Sequence, residues 1–162
     1  MIEKHDHFDN LKPKGAVTMT VKDINGDIIS TNYHNTVLRK GREALASSLA
    51  NVLTGSYDYY IARMLFGDGG TSGSVPKYVA TERNGLFGIT RASKPVIATI
   101  DPNLPTQVIF TSILDYDEAN GYTLNEMALQ MNTGNLYSMA TFADLSKTAS
   151  IQITWSWRIS FV

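Results

Sequence analysis

The side chains capable of chemistry gather in a few short stretches. Asp115-Tyr116-Asp117-Glu118-Ala119-Asn120-Gly121 sets three carboxylates within four residues, an oxygen-rich segment of the kind that calcium uses when about six or seven oxygens close around it. Its spacing does not follow an EF-hand. Unless oxygens from elsewhere in the chain or from a neighbouring subunit converge on it, the segment reads as a solvated loop tip whose charges are screened by water and salt. Asp115, Asp117 and Glu118 are thus the carboxylates to consider for a metal, and no metal is expected there. His5-Asp6-His7 places two imidazoles two residues apart, but no third or fourth ligand accompanies them. Gly67-Asp68-Gly69-Gly70-Thr71-Ser72-Gly73-Ser74 has the glycine density of a phosphate loop. It lacks the Lys-Ser/Thr ending and opens no helix, so it reads as a flexible surface loop.

No catalytic set emerges from these pieces. His5, His7 and His34 all lie in the first quarter of the chain, paired carboxylates occur only in the acidic loop, and no serine stands in a nucleophile-elbow motif. The absence of cysteine excludes disulfides, thiolate nucleophiles and cysteine-bound zinc or iron–sulfur groups. A non-enzyme without cofactor or catalytic residues is expected.

The elements that would position these residues are mostly strands. Ile151, Ile153, Trp155, Trp157, Ile159 and Phe161 alternate with Gln152, Thr154, Ser156, Arg158 and Ser160, the period of a strand with one dry face. Straight, it would run roughly 36 Å. It should therefore be central, pairing with more than one shorter neighbour or extending past its own sheet. Ala16 to Val21 alternates as well, and Asn25-Gly26 before Ile28 predicts a hairpin with a two-residue type I′ turn. Further strands are expected at Thr36–Leu38, Ile61–Phe66, Pro95–Ile100, Gln107–Leu114, Thr123–Met131 and Leu136–Phe142. Asn132-Thr133-Gly134-Asn135 supplies a second hairpin turn.

One helix is expected, over about residues 42–53, because Leu45, Leu49, Val52 and Leu53 share a face. Gly41 would open it and Gly55 would end it. Arg39, Lys40 and Arg42 cluster only at its start, which does not make a DNA-reading face. The fold class is all-β: an antiparallel β-sandwich, jelly-roll-like, with one short α-helix. Residues 1–15 are polar and read as an N-terminal arm, and residues 16–162 as a single domain. Residues 75–95 are weakly patterned and read as a long loop for partner contact.

A net charge of −1 over 162 residues gives no global attraction to nucleic acid or an anionic membrane. No apolar run spans a bilayer and the first residues lack a signal-peptide core, so a soluble protein made without classical export is expected.

Taken in order, several segments carry a resemblance. They are the first hairpin, Asn35-Thr36-Val37-Leu38-Arg39-Lys40-Gly41-Arg42-Glu43-Ala44-Leu45-Ala46, and Leu65-Phe66-Gly67-Asp68-Gly69-Gly70-Thr71. There follow Asn125-Glu126-Met127-Ala128-Leu129-Gln130-Met131 with Met139-Ala140-Thr141-Phe142, then Ser146-Lys147-Thr148 and Ile151 to Phe161. Together they resemble a family of small structural proteins of tailed bacteriophages and prophages, described as tail, collar, fibre-associated or head-decoration proteins. The resemblance implies no chemistry. It implies a virion component, synthesised in the bacterial host cytoplasm, whose partners are other copies of itself and other virion proteins, with no nucleic acid and no membrane. A carbohydrate- or receptor-binding module that meets a host surface glycan is the alternative. Interface candidates are His5, His7 and Phe8 in the arm and Tyr78, Phe87 and Arg91 in the weakly patterned stretch.

Overall fold

The computed structural model describes residues 13–50 and 59–161. His5, His7 and Phe8, the helix positions expected at 51–53 and the expected stop at Gly55 lie outside the described residues.

The strand at the chain's end, β12 (Ile151–Phe161), is the middle of a five-stranded antiparallel sheet. Its neighbours are β1 (Pro13–Asp23) and β9 (Gln107–Leu114), with β2 (Ile28–His34) and β8 (Ile97–Ile100) at the edges. β1 matches β12 over its whole length, from Pro13 opposite Phe161 to Asp23 opposite Ile151. One partner is therefore as long as β12 rather than shorter, and Pro13, Lys14 and Gly15 belong to a strand rather than to an arm.

The second sheet has the order β3 (Thr36–Val37), β11 (Leu136–Ser146), β10 (Thr123–Met131), β4 (Ile61–Gly67) and β7 (Thr90–Pro95). A two-stranded hairpin, β5 (Thr71–Ser72) with β6 (Val75–Pro76), stands apart. The hairpins β1–β2, β8–β9 and β10–β11 each stay within one sheet. The chain crosses between the sheets from β2 to β3, β7 to β8, β9 to β10 and β11 to β12, so the result is an antiparallel two-sheet sandwich.

The alternation in β12 decides which face is dry. Ile153, Trp155, Trp157 and Ile159 are buried. Trp157 stands in one cross-strand row with Val17 and Phe110. From the opposite sheet Phe66 and Phe142 meet Trp155, each ring 5.2 Å from it in a tilted arrangement that suits the aromatic quadrupole. Met64, Met127 and Leu129 complete this shared core.

The first turn differs from the expected type I′ geometry. That turn needs positive φ at both central residues, but among Asp23 to Asp27 only Gly26 has it, at 92°. The Asp23 carboxylate instead accepts N–H groups from Asn25 at 2.9 Å and Asp27 at 2.8 Å, an Asx-type turn one residue longer.

The helix α1 (Arg39–Ala50) begins three residues earlier than expected. Its first N–H, on Arg39, donates to Thr81 O at 2.8 Å, a long-range partner that sequence spacing does not show. Gly41 lies inside the helix rather than opening it. A Cβ there would sit 2.4 Å from Tyr137 O, so glycine lets the helix settle against β11.

Candidate interaction surface

The two outer faces of the sandwich are built differently. On the outside of the β10 sheet, Leu65, Ala128 and Met139 are buried under Val79, with Leu86 and Phe87 packed against them. The chain's own segment 77–88 covers that face. The Phe87 ring is held beneath the Arg83 guanidinium, 3.6 Å from its centroid, with the Lys77 ammonium 5.0 Å away, a cation–π arrangement. Arg83 also donates to Gly85 O and Leu86 O. The stretch 75–95, read as one long loop for partner contact, thus divides: Val75–Pro76 and Thr90–Pro95 are strands, and residues 77–88 between them lay Val79, Leu86 and Phe87 on a sheet face.

Glu126 fastens this layer. Its side chain is fully buried and accepts three backbone N–H groups, from Gly69 at 2.9 Å, Gly88 at 2.8 Å and Phe87 at 2.6 Å. Charge-assisted bonds of this kind are the strong ones. Asn125 adds a bond from Gly70 N–H at 2.7 Å and donates to Thr71 Oγ1 and Asp144. Gly69 and Gly88 touch backbone to backbone, where a Cβ on Gly69 would lie 2.3 Å from Gly88 N. The glycine-rich segment is therefore not a flexible surface loop. Its glycines permit a close approach, and the β5–β6 hairpin turns at Gly73 and Ser74, both with positive φ.

Asp68 completes the arrangement by accepting Ile89 N–H at 3.1 Å and pairing with Arg91. Partial burial pushes its carboxyl up, but the Arg91 guanidinium and the Ile89 N–H outweigh this and hold it below the usual aspartate range. Arg91 also lies over Tyr122, 4.6 Å from the ring centroid. Of the three interface candidates in this region, Phe87 and Arg91 are thus engaged within the chain, and only Tyr78, 85 % exposed, projects freely.

The acidic loop encloses a cation of its own. Lys147 is buried, and its ammonium donates to Asn120 Oδ1 at 2.9 Å and Thr148 O at 3.0 Å. Burial pushes its pKa down, while Glu118, Asp117 and Asp115 oppose that shift. Glu118 pairs with Lys94 and accepts Asp115 N–H, and both interactions hold its carboxyl low. Asp115 accepts from Gln152 at 2.6 Å. With a lysine charge among these carboxylates, we expect that millimolar calcium will not raise the melting temperature of the protein. A calcium-dependent rise, cancelled by chelator and lost in Asp117→Asn, would overturn this, because a ligand of the folded state must stabilise it.

An apolar cavity of about 320 Å³ lies between α1 and the ends of both sheets, lined among others by Leu45, Phe110, Met131, Tyr137 and Phe161. Burial pushes the Tyr137 hydroxyl up to about 12, so it carries no charge at neutral pH. The basic cluster at the start of α1 is partly neutralised, since Arg39 pairs with Glu43 and Glu82 and Lys40 pairs with Glu43.

The outer face of the β12 sheet has no such cover among the described residues. Registered rows run across it: Ser30, Thr20, Thr154 and Ile113; Asn32, Thr18, Ser156, Thr111 and Ile97; His34, Ala16, Arg158, Ile109 and Thr99. Thr18 bonds Asn32 at 2.8 Å, and Thr20 lies 3.1 Å from Ser30. The face is thus lined by small polar side chains toward β1 and β2, with isoleucines toward the β8 edge. Sequence reading gave this face its polarity from the alternation, but not its role, since small hydroxyl residues suit both water and a protein partner. Glu126 and Lys147 were also missed. The available signal was a charged or polar residue inside an otherwise apolar strand, at Asn125-Glu126 between Leu124 and Met127.

These features define an antiparallel β-sandwich protein. The chain matches the family described as phage tail-collar fibre protein, N-terminal, over residues 29–156, and it belongs to that family. This makes it a component of the phage virion with a structural role in the tail. No curated protein and no solved structure matches it.

Proposed function

We propose that the chain is a non-enzymatic tail component acting through protein–protein contacts in a symmetric assembly, with other copies of itself and other virion proteins as partners. The observation that supports this most directly is the contrast between the two outer faces: one is covered by the chain's own segment 77–88, and the other, lined with Thr, Ser and Ile, has no such cover among the described residues. Residues 1–12, which precede β1, carry too little apolar surface to be core and would act as an arm toward a neighbour.

The test is to purify particles, quantify the chain in the tail fraction, and measure its mass in solution and on the particle. Copies in the tail in fixed stoichiometry are expected. Absence from the particle, or a monomer both in solution and on the particle, would overturn the reading. Deleting residues 1–12 should leave the melting temperature nearly unchanged and lower incorporation. A large drop in melting temperature would show instead that the segment is part of the chain's own fold.

A further inference from the structure

Building on that reading, we propose that the open face of the β12 sheet docks a carboxylate-bearing surface of a different virion protein, with Arg158 as its central anchor. Arg158 is exposed on the central strand, between Ala16 of β1 and Ile109 of β9. It borders a shallow depression of about 490 Å³ shared with Thr18, Asn32 and Ser156. Among the described residues its guanidinium has no ion-pair partner. A small neighbour on one side and a depression beside it leave room for a planar, bidentate pairing, the geometry in which guanidinium binds carboxylate best.

The charge of the face selects the partner. Its rows carry Lys14, Lys22 and Arg158, and the one carboxylate bordering them among the described residues, Asp115, is held by Gln152 at a corner, so two copies meeting through this face would set mainly like charges against each other. Several of the fifteen Asp and Glu side chains are held within the chain: Glu126 by three N–H groups, Asp68 by Arg91, Glu118 by Lys94, Asp144 by Asn125 and Thr71, Glu43 by Arg39 and Lys40. A second copy apposed through this same face brings Lys14, Lys22 and Arg158 to Arg158 rather than a free carboxylate. Five strands about 4.8 Å apart and some 25 Å long make a footprint of about 600 Å², close to the roughly 800 Å² that one partner buries in a standard interface. Arginine on the central strand of such a patch, with apolar Ile109 beside it and Ile113 and Ile97 farther along the same face, is the usual composition of a binding hot spot.

The experiment supplies the wild-type chain, Arg158→Glu, Arg158→Lys or Thr111→Arg in trans to particles assembling without their own copy. The particles are then treated with a carbodiimide, which joins lysine amines to carboxylates in contact. Arg158→Glu should lower the copies per particle at least about thirtyfold, as expected for reversing a central interface charge. Arg158→Lys should retain part, keeping the charge but not the fork. Thr111→Arg intrudes on the same face, leaves Arg158 in place and should act like the reversal. Melting temperatures of the isolated variants should stay within about 2 °C of wild type, because the changes are on the surface. Wild-type particles should yield cross-links from Lys14 or Lys22 to an Asp or Glu of another virion protein. Normal incorporation of both Arg158→Glu and Thr111→Arg, as a merely solubilising arginine would give, overturns the proposal. Cross-links from those lysines to other copies of this chain overturn it too. Absence of the wild-type chain from the particle would strike the structural reading itself, so the two failures are distinguishable.

Discussion

Trp157→Ala is expected to lower the unfolding free energy by about 3–5 kcal/mol. The indole is fully buried between Val17 and Phe110 in the cross-strand row and belongs to the core shared by both sheets. Truncation loses the transfer energy of the ring and leaves a void that neighbours on two rigid strands cannot close. Ser156→Ala, one residue away on the outer face, should change stability by no more than about 0.5 kcal/mol. Denaturant unfolding of the two variants decides the matter: equal losses would mean that the faces of β12 are assigned the wrong way round.

Glu126→Ala should cost about 3–5 kcal/mol as well, through a different mechanism. Three backbone N–H groups, of Gly69, Phe87 and Gly88, lose their acceptor in a part-buried site, where an unpaired donor costs up to the roughly 1–3 kcal/mol of a fully buried one and less where water reaches it. Partial detachment of segment 77–88 relieves some of that loss, so the summed penalty is not reached. The effect should therefore be local as well as global. Trypsin should cut the variant faster after Lys77 or Arg83, and amide exchange at Gly69, Phe87 and Gly88 should accelerate while the β12 amides stay protected. Glu126→Gln keeps the shape and one acceptor oxygen and should fall between the two. Wild-type proteolysis together with wild-type stability in Glu126→Ala would refute its role as the fastener of the cover.

Much of the architecture is legible in the chain because local periodicity carries it. The alternation from Ile151 to Phe161, the glycines at Gly26 and Gly134, and the apolar runs at Gln107–Leu114 and Thr123–Met131 define strands and hairpins through interactions within a few residues of one another. The same locality explains why an all-β fold with one helix follows from the sequence, and why the dry and wet faces of β12 do.

Other features depended on contacts between residues far apart in the chain. The helix starts at Arg39 because Thr81 O receives its first N–H, a partner more than forty positions away. The glycine-rich segment became a pinned hairpin because Glu126 and Asn125 reach it from β10. The acidic loop holds a lysine because Lys147 enters it from beyond β11. Segment 77–88 has no period of its own, and only the outer face of the β10 sheet gives Val79, Leu86 and Phe87 somewhere to bury. The sequence by itself determined most of the long strands, the faces of β12 and the absence of cysteine chemistry, since those rest on side-chain type and short-range spacing, but not that the strand expected at Pro95–Ile100 divides between β7 in one sheet and β8 in the other. Which sheet face segment 77–88 covers was decided by tertiary structure alone, because a buried carboxylate, an enclosed ammonium and an unpatterned apolar segment require partners that spacing along the chain does not encode.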